Sequence, residues 1–387
     1  MKRVMIVTSS RAEYGLLRGL MHELLNSTDI ELYIAVTGTH LSERFGSTYN
    51  EILVDGFDIT MTIDLQIDST DSISIANTIA LGVQRFASAV RDLKPDLVVI
   101  LGDRYEILSV AIACLISKVP VAHIHGGETT AGAFDESIRH SITKMSQLHF
   151  VAAEEYRDRV IQLGEHPQRV FLVGGLGVDA ISNLELLDVD ELQTSLGIPF
   201  RDKRILVTYH PETLSFLSGL QQVEILLASL NSFDNCTIVF TGANADPMGE
   251  LISSRIRAFC HEKVNAYFFE SLGQKRYLST LKFFDVVVGN SSSALLEAPS
   301  LGIRTVNIGD RQCGRLRAES VIDCRLETTE IKSCIEKVFS ALSGQGRASV
   351  KNPYGIAGAS KRIAEIIRST NLSDILAKRF YDLPRIA

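Results

Sequence analysis

Leu97-Val98-Val99-Ile100-Leu101-Gly102-Asp103-Arg104 runs five apolar residues into a glycine and a charged pair. An unbroken apolar run of this length, without alternation, is the pattern of a parallel strand buried on both faces. The charged pair after it then stands at the carboxyl end of a central strand, where open α/β sheets bind ligands. Working outward, Tyr105–Ser117 reads as a helix and Val119–Ile124 as the next buried strand. Toward the N-terminus, Val4–Thr8 and Leu32–Val36 are strands flanking a helix over Tyr14–Leu25 with Leu17, Met21, Leu24 and Leu25 on one face. Toward the C-terminus come a helix over Asp135–Gln147 and strands over His149–Ala152 and Val170–Val173. The alternation implies a mostly parallel sheet with helices on both faces.

After Gly174-Gly175-Leu176-Gly177 the pattern restarts, beyond a polar connection over Asn183–Asp202. Ile205–Thr208, Thr237–Phe240, Ala266–Phe269, Val286–Val288 and Thr305–Ile308 form a second strand series separated by helical segments. The expected architecture is α/β, two Rossmann-like domains facing a cleft. The boundaries read as 1–178, 179–365, and an amphipathic C-terminal segment, 366–387, within a helix over Ser360–Leu376 that packs back on the first domain.

The 387 residues are 45% hydrophobic and 22% charged, with a net charge of −7. This composition fits a soluble globular protein and excludes a broadly basic nucleic-acid surface. The apolar stretch Ile107–Ile116 is interrupted by Ser109 and is about half of the ~20 residues a membrane span needs. The N-terminal apolar run stops at Thr8-Ser9-Ser10-Arg11, so it reads as a strand rather than a leader. Six cysteines without a C-x-x-C pair suggest a reducing, cytoplasmic setting.

Four polar clusters follow strands. Ser10 and Arg11 precede a helix, whose free N–H groups favour phosphate; the plainer reading is that Ser10 caps the helix and Arg11 is solvated. Asp103-Arg104 could be a structural ion pair. His123 and His125 are expected on one side of a strand. With Glu128 they raise a metal site, but neither a Cys nor a further carboxylate stands beside them at ligand spacing, so no metal is expected. In the second half, His210-Pro211-Glu212-Thr213 follows a strand, and Ser291-Ser292-Ser293 opens a helix carrying Glu297. There the hydroxyls and N–H groups suit a diphosphate and Glu297 a ribose diol. Neither a dinucleotide G-x-G-x-x-G after a strand nor a Walker sequence is present, so no nicotinamide cofactor is expected.

In order, Ser10-Arg11-Ala12-Glu13-Tyr14-Gly15, Gly102-Asp103-Arg104-Tyr105-Glu106, His123-Ile124-His125-Gly126-Gly127-Glu128, Asp135-Glu136-Ser137-Ile138-Arg139-His140, His210-Pro211-Glu212-Thr213, Gly289-Asn290-Ser291-Ser292-Ser293 and Gly309-Asp310-Arg311-Gln312 resemble the hydrolysing UDP-N-acetylglucosamine 2-epimerases of sialic acid biosynthesis. Ala294 stands where many members have glycine. The resemblance implies a glycosyltransferase-B-like fold and a cofactor-free enzyme releasing UDP and N-acetylmannosamine through a 2-acetamidoglucal. It carries Arg11, His210, Ser291, Ser292, Glu297 and Arg315 over as UDP-binding. Asp103, Glu128 and Asp135 become acid/base carboxylates, and His210 could instead act at the leaving phosphate. Glu128 and Asp135 are expected to move protons, and Asp103 to orient. The alternatives are the same reaction on a UDP-2,4-diacetamido-2,4,6-trideoxyhexose in legionaminic acid synthesis, or, more distantly, a glycosyltransferase or UDP-sugar-binding protein of this fold. The expected partner is the UDP-sugar substrate, with no nucleic acid and no membrane, in a homo-oligomer (dimer or tetramer).

Overall fold

The computed structural model describes residues 1–384 apart from 44–45, 68–70, 131–133, 213–214, 243–248, 346, 348–349 and 356. Among the described residues thirteen strands form two all-parallel sheets. The first contains β1 (Lys2–Thr8), β2 (Ile30–Thr37), β3 (Met61–Ile63), β4 (Leu97–Leu101), β5 (Val121–Ile124), β6 (Leu148–Val151) and β7 (Val170–Leu172), in the order β3-β2-β1-β4-β5-β6-β7. The second contains β8 (Lys203–Thr208), β9 (Cys236–Thr241), β10 (Ala266–Phe269), β11 (Val286–Gly289), β12 (Arg304–Ile308) and β13 (Val321–Cys324), in the order β10-β9-β8-β11-β12-β13. Strand order reverses between β1 and β4 in one sheet and between β8 and β11 in the other. Those are the places where neighbouring connections leave to opposite faces and open a crevice at the carboxyl ends. The paired registers, Ile6 with Val99 and Val207 with Val288, bring the polar clusters after these strands side by side.

The chain divides into two compact units. One comprises Met1–Glu128, Asp135–Ala180 and Tyr354–Ala387; the other comprises Thr129–Phe134 and Ile181–Pro353. In the first, strand alternation feeds two cores. Val4, Ile6, Leu97 and Val99 pack with Leu17, Leu20, Ile363 and Ile367 on one face. Met5, Val7, Val98 and Ile100 pack with Phe86, Val90 and Val110 on the other. That accounts for the unbroken apolar runs, since every position faces a layer of helices. In the second unit β8, β9, β11 and β12 pack on one face with Leu226, Leu230, Ile335 and Val338, and Leu206, Val239 and Val287 are buried on the other.

The helix over Tyr105–Ser117 forms as expected. The first begins earlier, at Arg11, because Ser10 caps it. The last differs: it spans Ala359–Ser369 rather than continuing to Leu376, since Asn371 turns the chain by accepting the Ser373 N–H at 3.0 Å. Also unanticipated are β3, β13 and the 22-residue helix Ser72–Leu93, capped by Asp71 through the N–H groups of Ile73 and Ser74.

Candidate active site

In the first unit, β1 ends at Thr8 and the next turn is tied by its own side chains. The Ser10 hydroxyl accepts the Glu13 N–H at 3.4 Å, and Glu13 reaches back to accept the Ser9 N–H at 2.8 Å. Burial, opposed by Arg104, pushes the Glu13 carboxyl up to about 7. Ser10 is therefore a cap, and Arg11 is the half-buried first residue of the helix.

At the end of β4, Gly102 takes φ +80° and its N–H bonds the Ile124 carbonyl at 3.0 Å. The charged pair then separates. Arg104 binds the buried Glu106 at 2.9 Å, so this half of the cluster is structural. Asp103 instead receives Nη2 of Arg139, a buried arginine on the helix Asp135–Met145 that also stands 3.6 Å from Glu136. Arg139 thereby fixes Asp103 to the helix that Asp135 opens. Asp135 is half-buried in the first turn, where the helix dipole favours a carboxylate.

His123 and His125 are not on one strand face. β5 stops at Ile124. His123 contacts the Gly102 carbonyl through Nε2 at 2.8 Å and the Thr143 hydroxyl through Nδ1 at 3.2 Å. Burial holds its pKa down to about 3, so it is a neutral core residue. His125 takes φ +66°, and its ring lies with Nδ1 2.7 Å from Oε1 of the buried Glu128. Gly127 makes the turn possible: at φ +78°, a Cβ there would sit 2.4 Å from the Tyr156 carbonyl oxygen. Among the described residues no three His, Cys, Asp or Glu side chains gather as a metal site.

In the second unit, the ends of β8 and β11 are locked together. Gly289, at φ +137°, lies so close to the Thr208 carbonyl that a Cβ would come within 2.0 Å of its oxygen. The Asn290 side chain grips the main chain of the buried His210 twice, accepting its N–H at 2.7 Å and donating to its carbonyl at 2.8 Å. Glu212 accepts the N–H groups of Asp310 at 2.6 Å and Arg311 at 3.0 Å, holding the loop after β12. Thr213 lies outside the described residues.

Ser291 and Ser292 precede a helix of one turn, Ser293–Leu296, and the Ser292 hydroxyl makes no capping bond. So short a helix carries little macrodipole, and an anion there would rest on N–H groups and hydroxyls. The Tyr277 hydroxyl donates to Ser293 at 2.8 Å, and Ser293 donates to Glu297. Arg315 donates through Nε to the Thr129 carbonyl at 2.8 Å and through Nη2 to the Thr130 hydroxyl at 3.4 Å.

The structure thus joins Asp103 to the Asp135 helix and sets Glu128 against His125 in one unit. In the other it groups His210 with Asn290, and Glu297 with Ser293. Arg139, Asn290, Glu212 and Tyr277 were not singled out from the sequence. Arg139 falls one helical turn from Asp135 and Glu136, a spacing that signals a shared face. Asn290 and Glu212 sit inside the quoted motifs, whereas nothing near Tyr277 in the chain marks it.

Two parallel sheets with polar residues gathered at each reversal of strand order define a two-domain Rossmann-like enzyme of the glycosyltransferase-B-like kind. The sequence profile described as UDP-N-acetylglucosamine 2-epimerase matches residues 22–368. The chain belongs to that family and is a UDP-sugar 2-epimerase. It is 42% identical over 384 residues, 99% of either chain, to the GDP/UDP-N,N'-diacetylbacillosamine 2-epimerase (hydrolyzing) of Campylobacter jejuni. It is 40% identical to the polysialic acid biosynthesis protein P7 of Escherichia coli, covering 99% of this chain and 98% of that one. A solved structure of the Neisseria meningitidis UDP-N-acetylglucosamine 2-epimerase bound to UDP-N-acetylglucosamine superposes with a TM-score of 0.81 at 19% identity, covering 95% of this chain and 100% of the other. No helix among the described residues is long and apolar enough to cross a membrane.

Proposed function

We propose that this enzyme hydrolyses a UDP-2-acetamido sugar with inversion at C2, releasing UDP and the free 2-epimer. The observation that carries the reading is the set of carboxylates after β4 and β5 in a member of this family: Asp103 fixed by Arg139, Glu128 beside His125, and Asp135 at the start of the same helix as Arg139. The C2 proton of the sugar is not acidic, because no ketone neighbours it. Breaking the C1–O bond to UDP while a base removes that proton gives a 2-acetamidoglycal. Water then adds its hydroxyl at C1 as an acid protonates C2 from the opposite face. Two proton-handling groups of different basicity are needed, and Glu128 with Asp135 supplies them while Asp103 orients. His210, Ser291 and Ser292 bind the diphosphate and Glu297 the ribose; Arg11 and Arg315 also serve UDP, and His210 is available to the departing phosphate.

For the sugar, the 42% identity to a hydrolysing diacetylbacillosamine 2-epimerase favours a UDP-2,4-diacetamido-2,4,6-trideoxyhexose. The 40% identity to a polysialic acid biosynthesis protein supports UDP-N-acetylglucosamine, with N-acetylmannosamine as product, as the second reading. Incubating pure enzyme with each nucleotide sugar in D₂O and following products by NMR tests both. The expected result is free 2-epimer carrying deuterium at C2 from one of them, preferentially the diacetamido sugar. Product retaining its original C2 proton would exclude elimination to the glycal, and an intact nucleotide sugar in both tubes would remove the hydrolytic reading.

A further inference from the structure

His125 has no part in the roles assigned above, yet its setting is not that of a core histidine. It is a non-glycine residue at φ +66°, a backbone conformation that L side chains rarely adopt and that persists only where the surroundings impose it. Its N–H is bonded to the Phe150 carbonyl at 2.9 Å, so the backbone is fixed in that state. His125 is 6% exposed, and its Nδ1 lies 2.7 Å from Oε1 of Glu128, itself 2% exposed. Nε2 is buried and has no hydrogen-bond partner among the described residues. His123, two residues earlier, forms the control: both of its ring nitrogens are engaged, and it is held neutral by burial. A strained histidine backed by a carboxylate on one nitrogen, with the other nitrogen unpartnered among the described residues, is the arrangement that prepares an imidazole for proton transfer.

We propose that His125, rather than Glu128 itself, takes the C2 proton, that Glu128 acts through it as a positioning residue, and that Asp103 and Asp135 keep their parts at the sugar. The assignment rests on the hydrolytic 2-epimerase reading. In the elimination, Nε2 takes the C2 proton, the C–H pair becomes the C1–C2 double bond, and the C1–O pair leaves with UDP. The imidazolium so formed is stabilised by the Glu128 carboxylate, and it returns to imidazole by giving its proton to water. The second step, addition of water at C1 with protonation of C2 from the other face, does not use it.

His125→Asn is the folding-safe variant, since asparagine tolerates the left-handed backbone; His125→Gly relaxes the backbone and opens a space the size of the ring. For His125→Asn the expected result is a kcat lower by at least about 100-fold, with KM and UDP affinity within about threefold. Hydration of the pre-formed 2-acetamidoglycal in the presence of UDP should survive, because that half of the reaction uses another acid. Added imidazole should restore turnover to His125→Gly, and Glu128→Gln should lose less kcat than His125→Asn. A His125→Asn enzyme within about threefold of wild-type kcat would overturn the assignment. So would an equal loss in both half-reactions without imidazole rescue, which is the signature of a residue that only holds the fold. Wild-type protein that releases UDP from neither nucleotide sugar would overturn the function itself and this assignment with it, a result recognisable before any variant is made.

Discussion

At Glu13 a carboxyl is kept where water does not reach, and the price is a charge that folding disfavours. Its pKa rises from the ordinary 4.5 to about 7, burial being the main cause. Below about pH 4.5 the group is protonated in folded and unfolded chains alike. As pH rises toward 7 the unfolded chain releases its proton first, so stability falls across that window and has lost this contribution above it. Glu13→Gln is expected to remove the decline: urea unfolding at pH 5 and pH 8 should show the variant gaining on the wild type at the higher pH. A constant difference between the two proteins would detach Glu13 from the effect. At this scale the sequence is legible where function sits next to a strand end. Asp103, His210 and Ser291 are each within a few residues of an apolar run, and locating the run locates them. What it hides are partnerships that only folding creates. The Arg139 that holds Asp103 lies 36 residues away from it, and the Tyr277 beside Ser293 belongs to a helix with no motif of its own. His125 misled because alternation along a strand was carried one residue past the strand's end.

Among the elements, the central strands were legible, and of the four edge strands β7 and β10 were legible while β3 and β13 were not. β1, β4 and β8 are buried on both faces and read as continuous apolar runs. β3 and β13 are three and four residues long, have one neighbour each, and are partly exposed, so neither burial nor length marks them in the chain. The C-terminal segment after the last helix is equally silent in sequence, and its anchoring is specific. The Lys378 ammonium donates to the Lys144 carbonyl at 2.6 Å and the Ser146 carbonyl at 2.7 Å, closing the end of the helix that carries Asp135 and Arg139. It also meets Glu165, a fully buried carboxylate. Against burial, which would raise its pKa, His149, Lys144 and Lys378 hold Glu165 down to about 2. Lys378→Met leaves two carbonyls and part of a buried charge without their donor. It should cost about 2–3 kcal/mol, in line with hydrogen bonds to charged groups. Thermal unfolding of the variant beside Lys378→Arg checks this; equal midpoints for wild type and Lys378→Met would show the tail to be loosely attached.

For the molecule as a whole, the decisive feature is that the first unit is made from both ends of the chain, with Ile181–Pro353 contained between them. The returning helix Ala359–Ser369 buries Ile363 and Ile367 completely against Leu17 and Leu20. At about 1.5–3 kcal/mol for each large apolar side chain, its removal takes away on the order of 5 kcal/mol, comparable with the whole stability of many domains. A chain ending at Pro353 is therefore expected to lose amide-exchange protection in β1 and β4 while β8 and β11 keep theirs. Protection retained in β1 would mean that the first unit is complete without its second segment. The same arrangement sets an order of assembly on the ribosome. β1 is synthesised long before the helix Ala359–Ser369, which completes the layer that covers it. The second unit is almost continuous in sequence and can close while the first is still waiting. At roughly 5–20 residues per second, the opening strand spends about 20–80 seconds without its final cover. An apolar strand exposed for that long is what chaperones bind, so the maturation of β1 depends on a helix translated only after the whole of the second unit.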